Sequence, residues 1–478
     1  MLFHSLQFAV FFPIVFALYL ASPHKLQNRM LLVASYVFYG SWDWRYLGLL
    51  LISTVTDYGC GRGLAATDDA GRRKALVAVS IAVNLSLLGT FKYYDFFAAN
   101  FQALVGNFGL TVQPYFLDVV LPIGISFYTF QTMSYTLDVY RGKLDAARNF
   151  FDFALYVSFF PQLIAGPIER GTRLLPQILK PRTVTLDKVY RGSYLFFWGL
   201  FLKVFIADNL AQMVDPVFAG AAPYDGGAVL LAVYAFSFQI YCDFAGYSFM
   251  AIGLGLAMGI ELMENFRRPY FARNIGDFWR RWHISLSSWF RDYVFSPFYI
   301  YMGKQPLFRR LPIRRRHDVA FFITLLSAEF MLGLWHGAGW NFVLFGIYHG
   351  LAIWAYYYLK KYWERMNVFV QIFLTYQIAC GGWLVFRAPT FGQAVDMADA
   401  VLFNFSLAPE LGLATMALTI VALVSILVTI QVFQDLKGDT FVVLRLPPFL
   451  RYGLIASMAV LVLVFGDFSD RPFIYFQF

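Results

Sequence analysis

Long apolar stretches, separated by short polar ones, run the length of the chain. A helix needs about 20 apolar residues to cross the hydrocarbon of a bilayer. Stretches approaching this are Leu6–Leu20, Met30–Leu51, Leu76–Phe97, Leu117–Tyr140 and Phe151–Ile168, then Tyr194–Met213, Ala228–Ile260, Val319–Trp335, Trp340–Tyr358, Val368–Phe386, Leu411–Phe433 and Tyr452–Phe468. The pattern predicts about a dozen crossing or re-entrant helices. Ala228–Ile260 is too long for one upright helix and carries Asp243 at its middle, so it is expected to tilt, break or double back. No polar linker is long enough to separate domains, and no internal repeat or low-complexity region is visible, so residues 1–478 read as one membrane domain.

Ile275–Phe298 has a different pattern. At about 100° per residue, Trp279, Trp282, Leu286, Trp289, Phe290 and Tyr293 share one arc, while Arg280, Arg281, Ser285, Ser288, Arg291 and Asp292 take the opposite one. This predicts an amphipathic or re-entrant segment near 264–300, suited to the membrane surface, with His283 at the edge of its apolar arc.

Composition agrees with the pattern. Of the 478 residues 59% are hydrophobic and 14% charged, against roughly 45–50% and 25% in soluble domains. The apolar start, Met1–Leu20, has no basic leader and no small-residue cleavage site after it, and is expected to be a retained first helix. The net charge of +9 raises the question of nucleic acid, but the basic residues gather in loops. Asn265–Arg316 holds 12 Lys and Arg against 2 acids, a local +10, which marks a cytoplasmic loop facing anionic lipid. The Arg309–Arg316 run is also a place where an anionic donor could be drawn in. Cys60, Cys242 and Cys380 are isolated in apolar surroundings without ligand spacing, so neither disulfides nor metal are expected.

Of the six histidines, His4, His24 and His317 lie at loop or terminal positions. His336 differs: it stands between two apolar stretches in Gly333–Trp340, flanked by Gly337 and Gly339, which permit close approach. An ionisable group at membrane depth is a functional candidate by default, the plain alternative being a histidine bonded to a neighbouring helix. His349 sits 13 residues on, on roughly the opposite face if the helix is continuous, and reads as structural. Asp243 and Glu329 either orient a histidine, bind an acceptor hydroxyl or hold two helices together. GxxxxGK[ST], GxSxG and HExxH are absent, which removes support for a nucleotide motor, a hydrolase of that type or a zinc protease.

Several ordered blocks resemble the membrane-bound O-acyltransferase family, and within it the bacterial alginate O-acetylation branch: Leu121–Tyr128 (LPIGISFY), Tyr135–Arg141 (YTLDVYR), Phe159–Ile168 (FFPQLIAGPI), Tyr241–Ser248 (YCDFAGYS), Glu264–Phe266 (ENF), Phe278–Tyr293 (FWRRWHISLSSWFRDY) and Gly333–Trp340 (GLWHGAGW). The likeness extends to the closing Pro472–Phe478. After the Arg291-Asp-Tyr block, however, Phe295–Gly303 (FSPFYIYMG) is closer to the teichoic-acid D-alanylation branch. The resemblance implies an all-α polytopic integral membrane protein, a ring of about 11–13 helices around a central cavity. It implies His336 as the catalytic residue and His283 as the second important one, with Asp243, Trp282, Arg291, Asp292, Trp335 and Asn341 supporting them. It also implies a bacterial cytoplasmic (inner) membrane location, acetyl-CoA or another acyl thioester as donor, a polysaccharide acceptor, and a periplasmic or extracellular acyltransferase partner. D-alanyl transfer, a glycan or lipid transporter, and a noncatalytic synthase scaffold are the alternatives, although the paired halves common in transporters are not seen.

Overall fold

The computed structural model describes residues 1–220, 222–306, 311–406, 411–468, 471 and 473–474, with Leu411 described by its backbone alone. Arg309 and Arg310 of the basic run, and Pro472 and residues 475–478 of the closing block, lie outside the described residues. Within them the regular structure is helical and no strand occurs. Eight helices are long and apolar enough to cross a membrane: Ala70–Gly106, Leu186–Ala219, Gly226–Ala257, Ile313–His336, Trp340–Trp363, Val368–Arg387, Gly412–Lys437 and Pro448–Phe465. Leu6–Ala21 is a shorter apolar helix. The protein is therefore an all-helical, multi-pass membrane protein, because in lipid the helix is what satisfies every backbone polar group within one segment.

The described residues divide into two compact units, one of Met1–Phe196 with Ser248–Met263, the other of Phe197–Tyr247 with Glu264–Phe478. In the first unit several predicted stretches are cut by local chemistry. Met30–Leu51 becomes His24–Asp43 and Leu47–Ala65, because Asp43 turns its carboxylate onto the Arg45 amide at 3.0 Å and ends the helix. Leu117–Tyr140 is helical only over Ile125–Tyr140. Gly124 precedes it at φ 77°, where a Cβ would meet the Leu163 carbonyl oxygen, so only glycine fits this start. Phe151–Ile168 splits into Phe150–Ser158 and Phe160–Leu163, with Pro161 in the first turn of the second piece.

Leu47–Ala65, Ala70–Leu88 and Ile125–Tyr140 pack around a polar knot. Asp57 is buried and accepts from Ser80 Oγ, from Thr136 Oγ1 at 2.6 Å and from Asn84 Nδ2 at 2.6 Å. Asn84 Oδ1 in turn accepts from Ser53 Oγ at 2.7 Å and Thr132 Oγ1 at 3.3 Å. Each member is satisfied by another, which is the condition for a buried polar network to stabilise.

The second unit contains the candidate chemistry. The predicted Ala228–Ile260 segment neither breaks nor doubles back: Gly226–Ala257 is one helix of 32 residues, about 48 Å at 1.5 Å per residue, of which residues 226–247 belong to this unit and 248–257 to the first. Ile313–His336 and Trp340–Trp363 form a tight helical hairpin. A Cβ on Gly333 would strike the Phe342 carbonyl and one on Gly346 the Glu329 carbonyl, so glycine at both positions lets the backbones approach closely.

Candidate functional site

The predicted single amphipathic helix is interrupted at the very residue it was expected to carry. It forms Ile275–Arg281 and Ile284–Phe290, then a π-turn at Arg291–Phe295 and Ser296–Lys304. At the break His283 takes the left-handed conformation, φ 42° and ψ 54°, which costs a non-glycine residue about 1 kcal/mol or more. Its aromatic residues do not face outward as an interfacial arc: Trp279, Trp282 and Trp289 are buried. The reason lies in Asn265, distant in sequence. Its carbonyl oxygen accepts from Ile284 N at 2.9 Å, and its Oδ1 lies 2.8 Å from Ser285 Oγ, 3.3 Å from Ser285 N and 3.0 Å from His283 Nδ1. These bonds supply a cap that a periodicity argument has no way to see, and they bury Ser285, which the projection places on the polar arc.

His283 has no exposed surface. Phe244 packs edge-on to its ring with centroids 4.6 Å apart, and Trp335 does so at 5.7 Å. Burial, and after it the charge of His336, hold the His283 pKa well below the ordinary 6.5. His336 is the last residue of its helix and is buried. Its ring meets Trp335 at 5.2 Å, Phe386 at 5.5 Å and Phe345 at 5.7 Å. The two predicted histidines are thus brought to either side of Trp335, each neighbour to an otherwise aromatic enclosure.

The chain breaks at Gly337–Gly339, so His336 and His349 belong to different helices and the opposed-face argument does not apply. Phe345 touches both rings, at 5.7 and 4.6 Å, and His349 is enclosed by Phe278 and Trp279. At Gly337 the backbone is extended, φ −165°, so glycine is required there for space: the Phe342 ring occupies the position a Cβ would take.

The supporting residues divide. Trp335 lies between the histidines, and Trp282 is buried against Phe266 and Trp383 at 5.1 and 4.7 Å. Asn341 Nδ2 donates to the Ala388 carbonyl at 3.2 Å, tying two helices. Asp243 faces Lys203 instead, with Oδ1 2.6 Å from Nζ, while Lys203 also reaches Asp208 at 2.8 Å and the Ile474 amide donates to Asp243 Oδ2 at 2.7 Å. Lys203 lies inside the apolar Tyr194–Met213 stretch, and that placement is the signal by which the sequence would have found it. Asn265 carries no periodicity, and the signal that includes it is the Glu264–Phe266 block of the resemblance, which marks the segment without saying what the asparagine holds. Arg291 pairs with Asp292 at 2.9 Å near the surface.

A cavity of about 560 Å³ adjoins this region and is bordered by Arg267, Arg268, Arg280, Arg281, Arg291 and Glu329, with Trp279, Ile284, Leu325 and Leu332 among its apolar walls. Neither His283 nor His336 is among its lining residues, but Ile284 directly follows the first. Arg281 is held by Asp277 at 3.0 Å, Arg268 by Asp435 at 3.1 Å and Arg291 by Asp292 at 2.9 Å, and Arg267 pairs with Glu264, so the guanidinium groups at the opening already have carboxylate partners, with which an anion entering there competes.

The family model described as "MBOAT, membrane-bound O-acyltransferase family" matches residues 143–387, which include both histidines. The chain belongs to this family and is an O-acyltransferase. It is 41% identical to a probable alginate O-acetylase of Azotobacter vinelandii, over 83% of this chain and 76% of that one. It is 33% identical to a peptidoglycan O-acetyltransferase of Helicobacter pylori, over 78% and 73%. To a teichoic acid D-alanyltransferase of Bacillus subtilis it is 30% identical, over 56% and 69%.

Proposed function

We propose that this enzyme takes an acetyl group from acetyl-CoA on the cytoplasmic side of a bacterial inner membrane and delivers it for O-acetylation of a polysaccharide outside, with His336 as general base. The observation that carries the reading is the placement of two buried histidines around Trp335, beside an arginine-rimmed cavity. In the proposed step the lone-pair nitrogen of neutral His336 takes the proton of an acceptor hydroxyl, whose oxygen attacks the thioester carbonyl. The C–S bond breaks and the thiolate recovers the proton, so charge and atoms balance. A placed base contributes about 10² to 10⁴ in rate. The cavity arginines hold the phosphates of the donor, and the aromatic enclosure keeps water from the thioester.

Acetyl is favoured over D-alanyl by the likeness to named O-acetylases at higher identity and over more of the chain. An alginate-like exopolysaccharide or a cell-wall glycan is the acceptor class, reached directly or through a periplasmic acyltransferase partner. The test is acetyl-ester content of surface polysaccharide in a deletion strain carrying the native gene or His336→Ala at matched membrane levels. Loss of ester with the variant alone is expected. Full retention overturns the base assignment and favours a scaffold or transport role.

A further inference from the structure

We infer that Asn265 is a positioning residue that locks His283 in the tautomer protonated on Nδ1, so that His283 faces the reaction as a hydrogen-bond acceptor through Nε2. The inference rests on the reading of His283 as part of the site. It assigns His283 a chemistry different from polarising the donor carbonyl, which would need an N–H.

The tautomer follows from which groups can donate. The side-chain atom of Asn265 that faces the Ser285 backbone N–H must be its oxygen, because that N–H can only donate. The Ser285 hydroxyl donates to the same oxygen at 2.8 Å. His283 Nδ1 lies 3.0 Å from it and 3.4 Å from Ser285 Oγ, whose own hydrogen is committed to the Asn265 oxygen at the shorter distance, so against these two acceptors Nδ1 carries the hydrogen. A neutral imidazole has one such hydrogen, so Nε2 bears a lone pair. Burial keeps the ring neutral, as the lowered pKa indicates. Phe244 and Trp335, edge-on to the ring, offer no charge to reverse this, and the titratable group acting on it is His336.

The same residue accounts for the backbone. His283 occupies the N-cap position of Ile284–Phe290, yet its side chain makes no capping bond. Asn265 satisfies the amides of Ile284 and Ser285 in its place, and these bonds offset the left-handed strain that turns the imidazole into the aromatic enclosure.

The experiment measures initial rates of acetyl transfer from radiolabelled acetyl-CoA in membrane vesicles holding the full chain, over a range of pH, with membrane level and thermal midpoint matched. Asn265→Ala is expected to lower the rate about 100-fold, between the loss typical of an outer-sphere partner and that of a wrong histidine tautomer. In a His283→Ala background the same change should add nothing. Asn265→Asp keeps the oxygen acceptor and should retain most of the rate. Its carboxylate stabilises the imidazolium, so the acid limb of the pH profile moves to higher pH. A native rate for Asn265→Ala, equal losses in both backgrounds, or an Asn265→Asp variant as inactive as alanine without a moved limb would each overturn the tautomer assignment. A native rate for His283→Ala alone would instead overturn the participation of His283, and is read separately.

Discussion

Two buried polar clusters, one in each unit, show how differently a membrane protein can use the same kinds of group. Around Asp57 the side chains of Ser53, Ser80, Asn84, Thr132 and Thr136 are bonded into one network, and three helices are tied by it. Around His283 and His336 the walls are phenyl and indole rings, the backbone is strained, and an arginine-rimmed cavity opens alongside. A satisfied network spends its polarity on holding helices together. An aromatic enclosure leaves an imidazole in low dielectric, where its charge state is sensitive and its interactions with a substrate are strong.

The contrast is open to direct test. The largest expected effect is His336→Ala, which should remove about 10² to 10⁴ in transfer rate while leaving the thermal midpoint of the detergent-solubilised protein close to native. Asp57→Leu should do the opposite, costing about 3 kcal/mol of stability by leaving Ser80, Asn84 and Thr136 without their acceptor. The rate per folded molecule should be kept, and a specific loss of rate in folded Asp57→Leu protein would erase the distinction drawn between the clusters.

A smaller effect is expected at the cavity rim. Replacing Arg280 and Arg281 together by alanine should raise the KM for acetyl-CoA about 5- to 10-fold with little change in kcat, and added salt should shrink the difference. An unchanged KM would separate the cavity from donor binding. The smallest concerns pH. The folded pKa of His283 lies below its unfolded value, so the unfolded chain binds the extra proton as pH falls beneath 6.5, and stability present above that pH is lost below it. The loss should be about 1 kcal/mol over the first unit below 6.5. Thermal unfolding against pH measures it, and His283→Gln should flatten that limb.

Much of this was legible in the chain itself. Hydropathy located the spanning helices because the bilayer demands length and apolarity from each segment separately, which is a local requirement. Local chemistry changed others outright: Met30–Leu51 and Phe151–Ile168 each split into two helices, and Leu117–Tyr140 shortened to Ile125–Tyr140. The cost of an ionisable group at membrane depth singled out His336, and the motif resemblance paired it with His283. The same cost also pointed to Asp243, but its partner turned out to be Lys203, because the rule names a residue and not the group it meets.

What the sequence by itself determined, then, is the helical membrane class and the family, with His283 and His336 as the candidates it offers, each written in residue type and short-range order. Tertiary structure alone decided that a 24-residue amphipathic pattern would break at His283, that Asn265 would hold the break, that Phe345 would touch both His336 and His349, and that the arginines of the basic stretch would border one cavity with Leu325, Glu329 and Asp435. These depend on contacts between residues far apart in the chain, and periodicity carries no information about which distant donor will meet which acceptor.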